Sequence, residues 1–435
     1  MLKNKFTWLA CAALLVGVAL TASAEDGKPD FDQLDFSVQE IVDQARDTAG
    51  SMEGSDLEAG TLETSWPIVT PNSVARRIVV FHKGTSKVRQ LSLVRKAGAL
   101  VTDNLWIINA VAIMAPQTRM QSFEASLLAA AEVKRIDEDF IQNWLVAEAP
   151  PAAAGPDILP QEEQGQTTPW GISRVNASQA WGVTRGAGVK VAVVDTGIDF
   201  EHPELNVTGG FNAIDPTVSF KDDNGHGSHV AGTIAAIDND AGVVGIAPDV
   251  QLYGVKVLSA SGSGTFADVI EGIQWCAANG MAVANFSLGA SRGNQSLADA
   301  VKAAAEAGVA IIAAAGNSGR SVGFPAAYPE AIAIAASDSS DRVAYFSSRG
   351  PEVELIAPGV SVNSTWMGGG YRSISGTSMA TPHVAGLAAL AVAAQGAHGV
   401  EEIRAALTSA ATKIPDVPDV QQGSGMIDAL KLVSR

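Results

Sequence analysis

Ser378 stands in Gly376-Thr377-Ser378-Met379-Ala380-Thr381-Pro382-His383, among small residues and ahead of an apolar run through Val384, Leu387 and Leu390 that reads as a helix. A serine hydroxyl is a weak nucleophile unless a base takes its proton and a third group orients that base. Both partners occur upstream. Val191-Ala192-Val193-Val194-Asp195-Thr196-Gly197 reads as a buried strand ending on a carboxylate, and Asn224-Gly225-His226-Gly227-Ser228-His229 as a glycine-flanked imidazole opening a helix. Such a set supports acyl transfer: hydroxyl attack on a carbonyl, with His226 carrying the proton and Asp195 orienting the imidazole. The chain order is Asp, His, Ser.

Groups so far apart in sequence need a rigid scaffold to meet. Apolar strand-like runs at 190–194, 251–257, 281–287, 309–314 and 331–335 alternate with helical patterns beginning near Gly227, Phe266, Leu297 and Ser378. Apolar strands separated by helices predict an α/β domain with a mostly parallel sheet covered by helices on both faces. Sites in such sheets lie at the C-terminal ends of the strands, where Asp195 falls. Upstream, the patterns at 78–81 (strand), 87–97 (helix), 105–114 (strand), 120–131 (helix) and 133–137 (strand) predict a small two-layer α+β unit.

The 435 residues are 47% hydrophobic and 17% charged, enough for a large core and more than one domain. Residues 1–24 carry Lys3 and Lys5, an apolar run from Phe6 to Leu20 and then Ala22-Ser23-Ala24, the three regions of a secretory signal peptide. The run is short for a spanning helix, so secretion is expected without stable membrane association. Of the two cysteines, Cys11 lies in that leader and Cys276 in a helical pattern, so no internal disulfide is expected and Cys276 reads as a small buried hydrophobe. A net charge of −17 disfavours nucleic acid as a partner. Residues 25–75 are acidic and polar with the composition of a disordered segment, and 146–164 are rich in Pro, Ala and Glu, as in an exposed tether.

The three motifs, in this order and spacing, resemble those of the subtilisin-like serine proteases. The resemblance covers 165–435 as the catalytic domain and, more loosely, 76–145 as the ferredoxin-like propeptide of that family. It implies a monomeric secreted endopeptidase acting on proteins and peptides, made as an inactive precursor whose own propeptide inhibits it. His226 matches the catalytic position, while His229 is implied to be a structural neighbour. Asn317, in Ala313-Ala314-Ala315-Gly316-Asn317-Ser318-Gly319, matches the oxyanion asparagine, with the Ser378 backbone N–H as second donor. Ser261, Gly262 and Ser263 with Ser287, Leu288 and Gly289 match segments that clamp an extended substrate as an added strand. Gly289, Ala314, Ala315, Gly316 and Gly323 would line an uncharged primary pocket, and Phe266, Val269 and Leu288 an apolar pocket three residues toward the substrate's N-terminus.

Arg135-Ile136-Asp137-Glu138-Asp139-Phe140 resembles the family's final propeptide strand, and Trp144-Leu145 would then place an apolar residue in the primary pocket. Self-cleavage after Leu145, with later trimming of the tether, is expected; a junction after Gln164 is the alternative. Ile237-Asp238-Asn239-Asp240-Ala241-Gly242-Val243 resembles the family's calcium loop. That resemblance implies carbonyl ligands from Ile237, Ala241 and Val243 and side-chain ligands from Asn239, Glu204 and Gln166, an all-oxygen set suited to a hard cation. A second, looser site would involve Glu352 and Glu354. Gly423-Ser424-Gly425-Met426-Ile427-Asp428 resembles the family's closing segment, so no accessory domain is expected after it. Two other readings remain. An inactive secreted binding scaffold would keep the fold without the chemistry, and a lipase or esterase would need a Gly-x-Ser-x-Gly elbow and the order Ser, Asp, His, neither of which is present.

Overall fold

The computed structural model describes residues 74–145 and 165–434. Apart from 216–218, these residues belong to one compact unit.

The N-terminal domain runs β1 (Val74–Phe81), α1 (Lys87–Ala97), β2 (Leu100–Leu105), β3 (Ala110–Pro116), α2 (Gln117–Leu128) and β4 (Val133–Glu138). Its four strands form an antiparallel sheet in the order β2-β3-β1-β4, with the βαββαβ succession of a ferredoxin-like unit. The apolar run expected as one strand at 105–114 is split between β2 and β3. Asn109 adopts a left-handed conformation (φ 53°) and returns its N–H to Trp106, which turns the chain into a hairpin. The period of two then sorts β1. Val79 and Phe81 face a small core under α1 and α2, whereas Ile78 and Val80 join the main core of the chain.

The larger domain is built on seven parallel strands: β6 (Lys190–Asp195), β7 (Val207–Asn212), β8 (Gln251–Lys256), β10 (Val283–Phe286), β11 (Ala310–Ala314), β12 (Ala331–Ser337) and β13 (Val353–Pro358), in the order β13-β12-β11-β10-β6-β8-β7. The centres of β6, β10, β11 and β12 are wholly buried, as a sheet covered on both faces requires, while the edge strand β7 is half-buried. Helices α3 (His226–Ala235) and α6 (Thr377–Gln395) pack together on one side of it; α4 (Phe266–Ala278) and α5 (Gln295–Glu306) pack together on the other. The start of α4 is fixed by a capping box between Thr265 and Asp268, and that of α5 by the Asn294 side chain accepting from Leu297 N–H. Helix α6 is long and apolar enough to span a membrane, but most of it is buried inside the protein. The hairpin of β14 (Val362–Trp366) and β15 (Gly370–Ile374) packs over α3 and had no clear sequence pattern.

The N-terminal domain presents acidic groups to the starts of two helices. Asp139 accepts from Ala267 N–H at 3.0 Å in the first turn of α4, and Asp137 accepts from the Ser296 hydroxyl at 2.6 Å in the first turn of α5. Carboxylates there meet unsatisfied donors and the positive helix ends. Gln274 of α4 bonds Ile107 N–H and the Asn104 carbonyl, and Arg135 pairs with Asp299 at 2.8 Å.

Candidate active site

Asp195 closes β6, and its side chain is fully buried. Its Oδ1 accepts from Thr196 N–H at 2.7 Å and lies 2.8 Å from His226 Nδ1; among the described residues its Oδ2 has no hydrogen-bond partner. His226 is the first residue of α3, and two glycines explain why it can stand there. Gly225 adopts φ 105°, and a Cβ on it would sit 2.3 Å from the Trp366 ring. A Cβ on Gly227 would sit 2.0 Å from the Gly197 carbonyl oxygen, so any side chain would push α3 away from the strand bearing Asp195.

Ser378 is the second residue of α6 and is held against Ser287 by reciprocal bonds. The Ser378 hydroxyl donates to the Ser287 carbonyl at 3.1 Å, and the Ser287 hydroxyl donates to the Ser378 carbonyl at 2.7 Å. The second bond follows from Pro382. Four residues after Ser378, it has no N–H to give that carbonyl, so a side chain takes the vacant acceptor.

Asn317 follows β11. Its Oδ1 accepts both the N–H and the hydroxyl of Thr377, each at 2.8 Å, and the Thr377 hydroxyl in turn accepts from Gly316 N–H at 3.1 Å. Those donors require the amide oxygen on that side, which turns Nδ2 toward Gly376 and the start of α6. Thr377 therefore sets the asparagine's orientation, a function its place in the sequence motif did not disclose.

The other histidines of this region are enclosed. His229 is fully buried, its Nε2 shared at 3.0 Å between the Val362 and Arg372 carbonyls, and burial pushes its pKa down to about 3. His383, on α6, bonds the Met379 carbonyl, and burial pushes its pKa down to about 4. Neither has the open edge that a base exchanging protons with a substrate needs.

The segments matched to substrate binding do flank an extended strand, supplied by the chain itself. β5 (Gln142–Asn143) pairs antiparallel with β9 (Ser263–Gly264). Trp144 N–H donates to the Gly262 carbonyl and Gly289 N–H donates to the Trp144 carbonyl, both at 2.9 Å. The Asn143 amide reaches the Ser261 carbonyl at 3.2 Å. The sequence placed an apolar residue of Trp144-Leu145 in the primary pocket; the structure engulfs Trp144 elsewhere. Its ring stands edge-on to Phe266, one of the residues matched to the outer apolar pocket, and its indole N–H donates to the Gly264 carbonyl at 3.0 Å. Leu145 lies over Gly262. The indole needs both a large apolar contact and one acceptor, and the site of Phe266 and Gly264 offers the two together. Ala314, Ala315, Gly316 and Gly323 lie together beside Asn317, with Gly323 N–H bonded to the Ala315 carbonyl at 2.9 Å.

The 237–243 loop is organised by oxygen atoms. Glu204, buried, takes Asn239 Nδ2 on one carboxylate oxygen and Val243 N–H on the other, both at 3.0 Å, and Gln166 Oε1 accepts from the N–H groups of Asn239 and Asp240. The carbonyls of Asp240 and Gly242 are used by Gln166 and Thr167, whereas those of Ile237, Ala241 and Val243 have no donor among the described residues. Three carbonyls without donors beside one buried carboxylate suit a hard cation. Among the described residues no group of three or more His, Cys, Asp or Glu fit to hold a metal occurs, and in this set Glu204 is the single carboxylate. Of the two carboxylates expected at a looser second site, Glu354 is paired with Arg404 at 2.9 Å. Cys276 is buried, as expected. The leader at 1–24, the acidic segment up to residue 73 and the tether at 146–164 lie outside the described residues.

A model of the subtilase family matches residues 186–425. Over 267 residues the chain is 49% identical to alkaline elastase YaB of Bacillus sp. (strain YaB), covering 61% of this chain and 70% of that protein. It is 48% identical to subtilisin Savinase of Lederbergia lenta, covering 61% of this chain and 98% of that protein. The corresponding figures for subtilisin DY of Bacillus licheniformis are 46% over 270 residues, 60% and 97%.

Proposed function

The chain belongs to the subtilase family and is a serine endopeptidase, and we propose that Asp195, His226 and Ser378 perform its reaction in a secreted enzyme made as a self-inhibited precursor. Ser378 Oγ attacks the scissile carbonyl while His226 removes its proton and returns it to the leaving amine. Asp195 holds the imidazole with Nδ1–H inward and stabilises its charged form. The Asn317 amide and the Ser378 N–H donate to the developing oxyanion. The observation that carries this reading is the buried 2.8 Å contact between Asp195, at the end of β6, and His226, at the start of α3.

Substrate binds in the same manner as residues 142–144, between 262–264 and 289, so main-chain bonds supply affinity and the apolar pockets a broad selectivity. Residues 76–145 inhibit by occupying that cleft. Cleavage C-terminal to Leu145, which lies over Gly262 and not in the primary pocket, and removal of the rest of the 146–164 tether release the enzyme, with 1–24 directing export. A calcium ion held by Gln166, Glu204, Asn239 and the carbonyls of Ile237, Ala241 and Val243 would cross-brace the N-terminus of the catalytic domain to its loop; it adds stability and takes no part in the reaction.

Intact mass of the wild-type and Ser378→Ala chains, before and after incubation with a denatured protein, tests the reading. Loss of about 145 residues and substrate cleavage in wild type alone is the expected result. Full-length, inert protein in both cases would favour a binding scaffold that keeps the fold without the chemistry.

A further inference from the structure

Asp195 and His226 come from different segments, and their single bond does not by itself fix where the two backbones lie. Thr196, the residue after Asp195, uses every polar atom to join them. Its N–H donates to Asp195 Oδ1 at 2.7 Å, its hydroxyl accepts from Gly227 N–H at 3.0 Å, and the same hydroxyl donates to Asp222 Oδ1 at 2.8 Å. Asp222 is buried and caps the turn that leads into α3. Its Oδ1 also takes the N–H groups of Asn224 and Gly225, each at 2.9 Å, and its Oδ2 takes Ser228 N–H at 2.9 Å and the Ser228 hydroxyl at 2.6 Å.

From the other side, the Thr196 carbonyl accepts from the buried ammonium of Lys256 at 2.7 Å. The remaining donors of Lys256 go to Asp223 Oδ1 and the Leu258 carbonyl, both at 2.7 Å. A buried charge is retained only where its bonds are complete, and both of these are. Together they clamp the end of β6, the 222–228 turn and the entry to the 259–264 segment at one residue.

We propose that Thr196, held through its hydroxyl by Asp222 and through its carbonyl by Lys256, is the positioning residue that presets the Asp195–His226 pair for proton transfer. The proposal rests on the roles assigned to that pair above. Thr196 touches no substrate, so its effect falls on turnover and not on binding.

The test compares Thr196→Val, which keeps the shape and deletes the hydroxyl, with Thr196→Ser, which keeps the hydroxyl, and approaches the clamp from its other end with Asp222→Asn. A chromogenic ester that gives a stoichiometric acylation burst counts competent sites, so kcat is read per folded site. Thr196→Val and Asp222→Asn are expected to lower kcat by about 10- to 100-fold, the range for a misplaced catalytic group, with KM within about twofold. Thr196→Ser is expected to stay within about threefold of wild type. Unchanged kcat in both clamp variants, a loss confined to KM, or failure of Thr196→Ser to preserve kcat would overturn the proposal. If Thr196→Val is not recovered folded, Asp222→Asn decides alone. Ser378→Ala separates the two levels of argument: activity in that variant would remove the reading of the site itself, whereas an inactive Ser378→Ala beside fully active clamp variants would remove only the clamp.

Discussion

Raising the pH should weaken the hold of the N-terminal domain on α4, and Glu271→Gln should remove most of that sensitivity. Glu271 lies on α4 with Oε2 buried and, among the described residues, without a hydrogen-bond partner. Asp268 lies one turn earlier on the same helix, and Asp103 faces it from β2 of the N-terminal domain; the nearby cation, Arg76, is shared between Asp103 and Asp139. Burial, with those two carboxylates adding to it, pushes the Glu271 pKa up to about 8 from an ordinary 4.5. The folded chain therefore holds a proton that the unfolded chain has lost between these two values. Stability is full below pH 4.5, falls across that window by up to about 1.4 kcal/mol per pH unit for one proton, and is lost above pH 8. Integrated, the change is of the order of a few kcal/mol, comparable with the stability reserve of many domains. Asp268, pushed up to about 6 by burial, contributes in the lower part of the same range. Denaturant unfolding of the full-length Ser378→Ala chain, and of its Glu271→Gln derivative, from pH 5 to 9 would measure the difference. The parent should lose stability up to about pH 8, while the Gln variant should level off near pH 6, where Asp268 has titrated. Parallel curves for the two proteins would refute the assignment.

Asn317→Ala should lower kcat by about 10²–10³, the known cost of losing the side-chain oxyanion donor in subtilisin, with little change in KM; steady-state kinetics on a short peptide substrate would show it. The two enclosed imidazoles act on the acid side. Because burial holds His229 down to about 3 and His383 down to about 4, the unfolded chain binds protons that the folded one refuses, and stability falls as pH drops below about 6.5. His229→Gln should make that fall shallower by one proton's slope in acid-unfolding curves. Chelation should lower the thermal midpoint of the wild type and leave a Glu204→Gln protein almost unresponsive; identical melting with and without chelator would dismiss the calcium site.

Much of this site is written in local sequence because its chemistry depends on local backbone features. The glycines around His226 are required by contacts with Trp366 and Gly197, and the apolar run before Asp195 makes a buried strand that delivers the carboxylate at its C-terminal end. The apolar run at 105–114 misled because a hairpin needs only one left-handed residue, and Asn109 supplies it without interrupting the apolar pattern. Thr377, Thr196, Asp222 and Lys256 could not be singled out by type or spacing, since a hydroxyl or a buried ion pair acquires its function from partners distant in sequence. The Asp222-Asp223-Asn224-Gly225 run did carry one local signal, an acidic cap ahead of a helix.

The sequence by itself determined the chain order of the proposed reacting groups, the alternation of strands and helices, and the family. Those features follow from residue type and short-range period, which the chain carries wherever it folds. Tertiary structure alone decided which side of Asn317 faces outward, which pocket receives Trp144, and how Pro382 leaves the carbonyl that Ser287 takes. Each of these is a choice among partners brought together only by folding, made by the demand that every buried donor and acceptor be met.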